Sequence, residues 1–284
     1  MADQPDAAVQ PTGIGVTSLG VALLRARESR RGDRLFHDPY AQDFVDHADL
    51  DQPLLRAAAS EPDFFELMAE QVAVRTRFFD QALPESAHGQ VVLLACGMDA
   101  RAFRLDWPAG VTVYELDQPD VLTFKGTVLA RRHAQPRCHR VPVPVDLRTD
   151  WPRTLTEAGF HPGEPTAWLA EGILYALPPQ AADTFLDQIT SLSAPGSTLA
   201  LDHGQDSEPL RAARAAISPE LVDLWQGGPT HDLHAWLRQR GWTAEVHDIA
   251  DVAATYRRPA PLAFDPDDDH AGRGWLATAT KTAC

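Results

Sequence analysis

Two residues twenty positions apart carry the first chemical suggestion in the chain. Gly97 follows almost directly on the apolar run VVLLA (91–95), and Asp117 follows the next β-branched run, VTVYEL (111–116). In an open α/β sheet, ligands bind outside the carboxyl ends of the strands, where the strand order reverses. A glycine there lets a ligand approach the backbone, and an acid about 20 residues further on reaches a ribose diol. Glu115 and Asp117 stand two apart and share a strand face. Asp117, at the end of its strand, is the preferred ribose partner; the alternative is a cap on a helix beginning near Pro119. Gly97 taken alone reads equally well as a strand-to-helix turn.

The glycine pattern separates two ligand classes. A dinucleotide site wants GxGxxG, so that a pyrophosphate can rest on a helix N-terminus. This chain reads ACGMDAR over 95–101, with Ala95 at the first position and Asp99 where the phosphate would lie. That acid argues against a pyrophosphate, and so against an NAD(P)-dependent dehydrogenase. It suits a cationic, zwitterionic ligand such as S-adenosylmethionine.

The elements that must position these residues follow from periodicity. Before residue 88 the pattern is helical. One helix is expected from Thr17 or Ser18, either serving as N-cap, through VALLRARESRR to Gly32, with Leu19, Leu23 and Ala26 at helical spacing. A second is expected from about Phe64 to Leu83, with a core stripe of Phe64, Leu67, Met68, Val72 and Phe79. From Gln90 strands alternate with helical segments. Strands are expected at 91–95, 111–116, 139–143 (interrupted by Pro142), 166–170, 197–202, 243–247 and 275–280. This is the pattern of an α/β, doubly wound, seven-stranded and mostly parallel sheet. The expected organisation is an N-terminal helical lid over 1–87 and a cofactor-binding domain over 88–284. Within the latter, a helical lid insertion is expected at about 209–240, and an irregular connection rich in Pro, Asp and Gly over 256–274. Residues 1–13 read as a loose tail or a strap over a ligand.

Composition narrows the partners. The 284 residues hold 25 Lys+Arg against 40 Asp+Glu, a net charge of −15, and no basic patch offsets that field, so a nucleic-acid partner is not expected. Cys96, Cys138 and Cys284 form an odd set without CxxC spacing, which suits a reducing cytoplasm. The first residues carry neither a basic nor an apolar leader segment, and no apolar run approaches a membrane span. A soluble, cytoplasmic protein without a membrane partner is expected; no pattern specifies an oligomeric state. His231 and His234 could share a helical face but lack further ligands, and DPDDDH (265–270) lacks the EF-hand order, so no metal is expected.

The run QVVLLACGMDARAFRLDWPAGVTVYELDQPDVLTFK (90–125) resembles the leucine carboxyl methyltransferase family, in particular its bacterial branch of S-adenosylmethionine-dependent O-methyltransferases. SLGVALLRARESRRGDRLFHDPYA (18–41) and VRTRFFDQAL (74–83) are similar to that family's N-terminal helices. PVDLRTDW (144–151) is similar to its adenine-contacting turn, and AEGILYALP (170–178) to its motif after the fourth strand. The resemblance covers most of residues 18–202 in order and is loose in the last third. It implies a class I methyltransferase fold and S-adenosyl-L-methionine as cofactor. It also implies that Arg75 binds the methionine carboxylate, and that Ala95, Cys96 and Gly97 line the methionine moiety. Asp117, with its neighbour Gln118, would hold the ribose, Asp146 and Leu147 the adenine, and Glu171 the amino group. Ala95 departs from the glycine common at its position; it is expected at negative φ, and Cys96 is small, so binding is expected to survive. Asp99 and Arg101 keep the family's acid and base, and are expected to pair with one another or with the surroundings of Arg75.

Methyl transfer from a sulfonium is an in-line displacement in which the protein brings acceptor and methyl together and excludes water. A carboxylate acceptor is ionised at pH 7 and needs no base, whereas a phenol or alcohol does. Tyr175 is the candidate acceptor contact and His203 the candidate base. Core packing and a strand-end residue are the respective structural alternatives. Arg30 and Arg31 could anchor an acceptor carboxylate or compensate the helix dipole. The expected reaction is O-methylation of a small-molecule or peptide acceptor; the rival is a non-catalytic S-adenosylmethionine-binding protein. A DNA methyltransferase is disfavoured by charge, and because AEGILY stands where an (N/D)PP(Y/F) motif would.

Overall fold

The computed structural model describes residues 9–49, 56, 62–87, 89–217, 219–230 and 232–283. These build a seven-stranded sheet in the order β3-β2-β1-β4-β5-β7-β6. The strands are β1 (Gln90–Leu94), β2 (Thr112–Asp117), β3 (His139–Pro144), β4 (Thr166–Ala170), β5 (Thr198–Gly204), β6 (Trp242–Asp248) and β7 (Gly274–Lys281). β1 to β5 pair in parallel, and β7 runs antiparallel between β5 and β6. Each expected strand is present within one to two residues of its expected bounds. β1 and β4 are buried along their whole length, as central strands covered on both faces must be. Pro142 and Pro144 are tolerated because β3 is an edge strand, with a free side on which no ladder hydrogen bond is needed.

Register fixes the position of the site. Leu94 of β1 lies opposite both Leu116 of β2 and Ala170 of β4. The carboxyl ends of these three strands are therefore level, and the residues that follow them emerge on one rim. The strand order reverses between β1 and β4, which is where a crevice forms.

The helices are α1 (Thr17–Ser29), α2 (Ala41–Asp46), α3 (Pro62–Ser86), α4 (Arg101–Arg104), α5 (Pro119–Arg131), α6 (Trp151–Glu157), α7 (Pro179–Ser191), α8 (Glu208–Ile217), α9 (Pro219–Asp223), α10 (Leu233–Arg238) and α11 (Ile249–Thr255). Neither Thr17 nor Ser18 caps α1, contrary to expectation. A 3-10 turn over Gly13–Val16 leads straight into the helix, and the two hydroxyls donate backwards to the carbonyls of Ile14 and Gly15. α1 ends at Ser29, before Gly32. α3 runs three residues beyond the expected Leu83 and carries Pro84 within its last turn. Of the expected stripe Val72 and Phe79 are buried, as is Phe65, while Phe64, Leu67 and Met68 remain half-buried.

The stretch 209–240 divides by packing. α8 lies against α3. α10 instead places Leu233, Trp236 and Leu237 in the core beneath β6. Thr12 donates from its backbone and its hydroxyl to Asp120 in the first turn of α5, at 2.9 and 2.6 Å, so the segment before α1 crosses that helix start. Residues 1–8 lie outside the described residues. Among those described, no helix is long and apolar enough to cross a membrane.

Candidate functional site

The rim begins with a left-handed turn. Ala95 has φ +49° and Gly97 φ +47°. The expectation of a negative φ at Ala95 is therefore wrong. The Cys96 N–H still pairs with the Leu116 carbonyl of β2 at 3.0 Å, so the chain must reverse locally at Ala95 while keeping its ladder bond. A family glycine at this position would adopt that turn without strain, whereas alanine carries about 1–2 kcal/mol. Gly97 is required for space as well as conformation: a Cβ on it would come within 2.6 Å of the Ser18 Cβ, because α1 closes over the loop.

The separation of twenty residues between Gly97 and Asp117 is realised as a contact. Asp117 Oδ2 accepts the Gly97 N–H at 2.7 Å, and Oδ1 accepts the Gln118 N–H at 2.7 Å. Burial pushes its carboxyl above the usual range, and the two N–H groups offset only part of that. Asp117 does not cap α5; Gln118 occupies the N-cap position and makes no side-chain cap bond. Glu115 is fully buried in an ion triad, 2.9 Å from Lys125 Nζ and 2.6 Å from Arg140, and is committed to the core.

Glu171, directly after β4, is the hub of a buried charge cluster. Its Oε1 accepts from Arg25 at 2.8 Å and lies 3.0 Å from Arg75 Nε, and its Oε2 accepts from Arg101 at 2.6 Å. Arg101 also binds Asp99 and Asp80, so the family pair joins both of its expected neighbourhoods. Arg75 donates to Asp202 at 2.9 Å, and Asp202 in turn accepts the Gly172 N–H at 2.6 Å. Burial opposes ionisation of Glu171, but Arg101, Arg25 and Arg75 outweigh it and hold the carboxyl well below the usual range. Burial likewise opposes charge on Arg75, and Asp202 and Glu171 outweigh it, so the guanidinium stays protonated.

These groups form one end of a cavity of about 170 Å³. Its polar end is lined by Ala95, Cys96, Gly97, Asp99, Arg25, Arg75 and Glu171. Its apolar end is built by Val21, Leu24, Phe64, Phe65, Met68 and the stacked pair Tyr175 and Trp225, whose rings lie 4.2 Å apart. Of the expected site residues, the structure thus gathers Arg75, Ala95, Cys96, Gly97, Glu171 and Tyr175 around one space, with Asp117 and Gln118 joined to it through Gly97. Asp146 and Leu147 do not line it. Asp146 sits past β3 and pairs with Arg148 at 2.6 Å, while Leu147 packs half-buried against the sheet core.

His203 is also absent from the cavity wall. It lines a small hollow behind Tyr175 and Trp225 and also an open cleft of about 680 Å³ shared with Gln205, Asp206 and Trp225; its ring stacks on Trp275 at 6.1 Å, and its buried Nδ1 has no hydrogen-bond partner among the described residues. Burial lowers its pKa, and Asp202 offsets that only in part. Arg30 and Arg31 point elsewhere, to Gln42 and Asp33 respectively, so neither reaches the cavity. His234 is on α10, and His231 lies outside the described residues. Three residues that sequence reasoning passed over take part: Arg25, Asp202 and Arg214. Arg25 follows Ser18 by seven positions on α1, so the helix turns it to the same face as the residue that covers Gly97.

The leucine carboxyl methyltransferase family model matches residues 18–190, more than half of the chain. The chain belongs to the leucine carboxyl methyltransferase family. A Parafrankia protein named "Putative S-adenosyl-L-methionine-dependent methyltransferase" is 47% identical over 258 residues, covering 88% of this chain and 83% of its own. A Rhodococcus jostii protein of the same name is 41% identical over 295 residues, covering 95% and 96%. This family member is an S-adenosyl-L-methionine-dependent methyltransferase, and S-adenosyl-L-methionine is its cofactor. Among solved structures, a protein of Thermobifida fusca YX described as a "putative methyltransferase" aligns with a TM-score of 0.55 at 20% identity, covering 97% of this chain and 96% of that one. The cyclase SpnF aligns at a TM-score of 0.50 and 14% identity over 75% and 82%. These likenesses show the fold alone, and the fold by itself does not choose a reaction.

The residues present fit the cofactor. The left-handed turn at Ala95 and Gly97 leaves the backbone approachable beside Asp117. Arg75 Nη2 makes no hydrogen bond among the described residues, which leaves one arm of a buried fork for a carboxylate.

Proposed function

We propose that this methyltransferase transfers its methyl group to oxygen, and that the acceptor is a carboxylate of a small molecule or of a peptide. One observation carries the reading: the acceptor end of the cavity has no free base. Asp99 and Glu171 are the carboxylates on its wall, and both are locked to arginines and held ionised below the usual range. Burial pushes the Tyr175 hydroxyl above its ordinary value, so it remains a neutral donor. His203 is outside the wall. A phenol or alcohol acceptor needs a proton taken from it, and these residues are poorly placed to take one; a carboxylate brings its own charge.

The cofactor supplies an electrophilic methyl group on a sulfonium. The chain's residues supply position and dryness. Arg75 offers its free arm to the methionine carboxylate, Asp117 stands at the edge where a ribose diol would meet it, and Glu171 holds three guanidiniums in fixed directions. The cofactor's nucleoside would extend past Gly97 toward Asp117, away from the part of the cavity lined by Tyr175 and Trp225. Phe64, Phe65, Met68 and Trp225 exclude water from the acceptor end.

The test is the pH dependence of kcat with an accepted substrate. A carboxylate acceptor gives a kcat that is flat from pH 6 to 8. A rise with a histidine-like pKa that disappears in His203→Ala would refute the reading and restore a base-assisted hydroxyl acceptor.

A further inference from the structure

Arg214 on α8 lies beyond the family-matched residues 18–190, yet it lines the apolar end of the cavity. It is 4% exposed, and its Nε and Nη1 are buried without a hydrogen-bond partner among the described residues. Its carbon Cζ sits 4.7 Å from the centroid of Trp225, a ring that attracts the charge but offers no lone pair to the N–H groups. Among the described residues its carboxylate partner is Asp206, which accepts from Arg214 Nη2 at 2.7 Å and from Arg211 at 2.9 Å. Two guanidiniums thus share one carboxylate, leaving a local positive charge in a chain of net charge −15. Buried donors left unpaired cost free energy that a ligand with matching acceptors recovers.

We infer that Arg214 is the acceptor-binding residue that receives the carboxylate of a small planar acid whose ring lies along Tyr175 and Trp225. The inference rests on the oxygen-methylation reading above and specifies its substrate class. A guanidinium fork occupies two of the roughly four lone-pair sites of a carboxylate, which leaves a lone pair for attack. In the transfer, one carboxylate oxygen forms a bond to the methyl carbon, the carbon–sulfur bond breaks, and its electron pair stays on sulfur. No proton moves. The ester so formed is neutral and loses its charge-assisted hold on Arg214, so the same residue that selects the acid favours release of the product.

The test is calorimetric titration of the full-length protein in two steps. S-adenosylhomocysteine is titrated first, into wild type, Arg214→Gln and Arg214→Lys. The protein saturated with it is then titrated with indole-3-acetate, trans-cinnamate and 4-hydroxybenzoate, each against its amide. The expected result is S-adenosylhomocysteine affinity within about twofold in all three proteins. In wild type, at least one acid should bind about tenfold or more tightly than its amide, the preference that one charge-assisted hydrogen bond supplies. That preference should vanish in Arg214→Gln and be partly kept in Arg214→Lys. Equal binding of acids and amides by wild type, an acid preference that survives in Arg214→Gln, or no binding of any acid at millimolar concentration would each overturn the inference. Failure of S-adenosylhomocysteine itself to bind wild type would instead overturn the site reading beneath it, and the inference with it.

Discussion

Replacing Glu171 by glutamine removes one charge and changes almost no volume, so it isolates the electrostatics of the hub. In the wild-type protein two carboxylate oxygens serve three guanidiniums, at 2.8, 3.0 and 2.6 Å. Glutamine has one acceptor oxygen, and whichever way its amide turns, its NH2 faces an arginine donor. Arg25, Arg75 and Arg101 then keep their burial and lose their common counter-charge. Breaking a buried ion pair by removing one partner costs about 3–5 kcal/mol. Against a total stability of roughly 5–15 kcal/mol this is a large fraction. At about 2–4 °C per kcal/mol for a domain of this size, Tm should fall by roughly 6–20 °C. The assay is thermal unfolding followed by circular dichroism at pH 7.5.

Two controls sharpen it. The folded-state pKa of Glu171 lies below its ordinary value of 4.5, so the ionised side chain stabilises fully above that pH and loses its contribution as pH falls through the lowered value. The gap between wild type and Glu171→Gln should therefore stay constant from pH 5 to 8 and close only in stronger acid. In an Arg25→Met background the same substitution should cost less, because one of the stranded cations is already gone. A Tm change below about 3 °C, or strict additivity with Arg25→Met, would refute the hub.

Asp117→Asn should lower S-adenosylhomocysteine affinity about tenfold or more and stability by about 1.5–3 kcal/mol, since an amide NH2 must face either Gly97 N–H or Gln118 N–H; calorimetry and urea unfolding would read both, and affinity within twofold of wild type would sink the ribose-edge assignment. Ala95→Gly relieves about 1–2 kcal/mol of left-handed strain and costs about 0.4–1 kcal/mol through the freer unfolded chain, so stability should hold or rise slightly in urea titrations. A loss above about 1 kcal/mol would mean the turn is not strained. His203 has a folded pKa below its ordinary 6.5, so the unfolded chain takes up the proton first, and stability falls as pH drops below about 6.5. His203→Asn should remove that part of the fall between pH 7.5 and 5.5, and identical pH profiles for the two proteins would contradict the burial argument.

How far the sequence reaches is best judged along β1, β2 and β5. The seven strands were legible because β-branched runs and their spacing are local properties, and the pairing of Gly97 with Asp117 was legible because level strand ends turn a sequence interval into a distance. The backbone at Ala95 was not, because alanine gives no sign of a left-handed turn; only the Cys96 to Leu116 bond reveals that the chain must take one. The charge hub was half legible. Arg75 and Glu171 stood in family motifs, but their partners Arg25 and Asp202 come from elements that meet only when α1 and α3 pack over the sheet. At the end of β5 the error was one of phase. Successive strand residues face opposite ways, so a site that takes Asp202 turns His203 aside. Histidine drew notice because it titrates near neutrality, yet the rim has more use for a fixed anion: Asp202 accepts from Arg75 and from the Gly172 N–H, tying the turn after β4 to α3, while His203 stacks on Trp275 behind the wall. Titratability in isolation is thus a weaker guide to a site than the direction a strand gives each side chain.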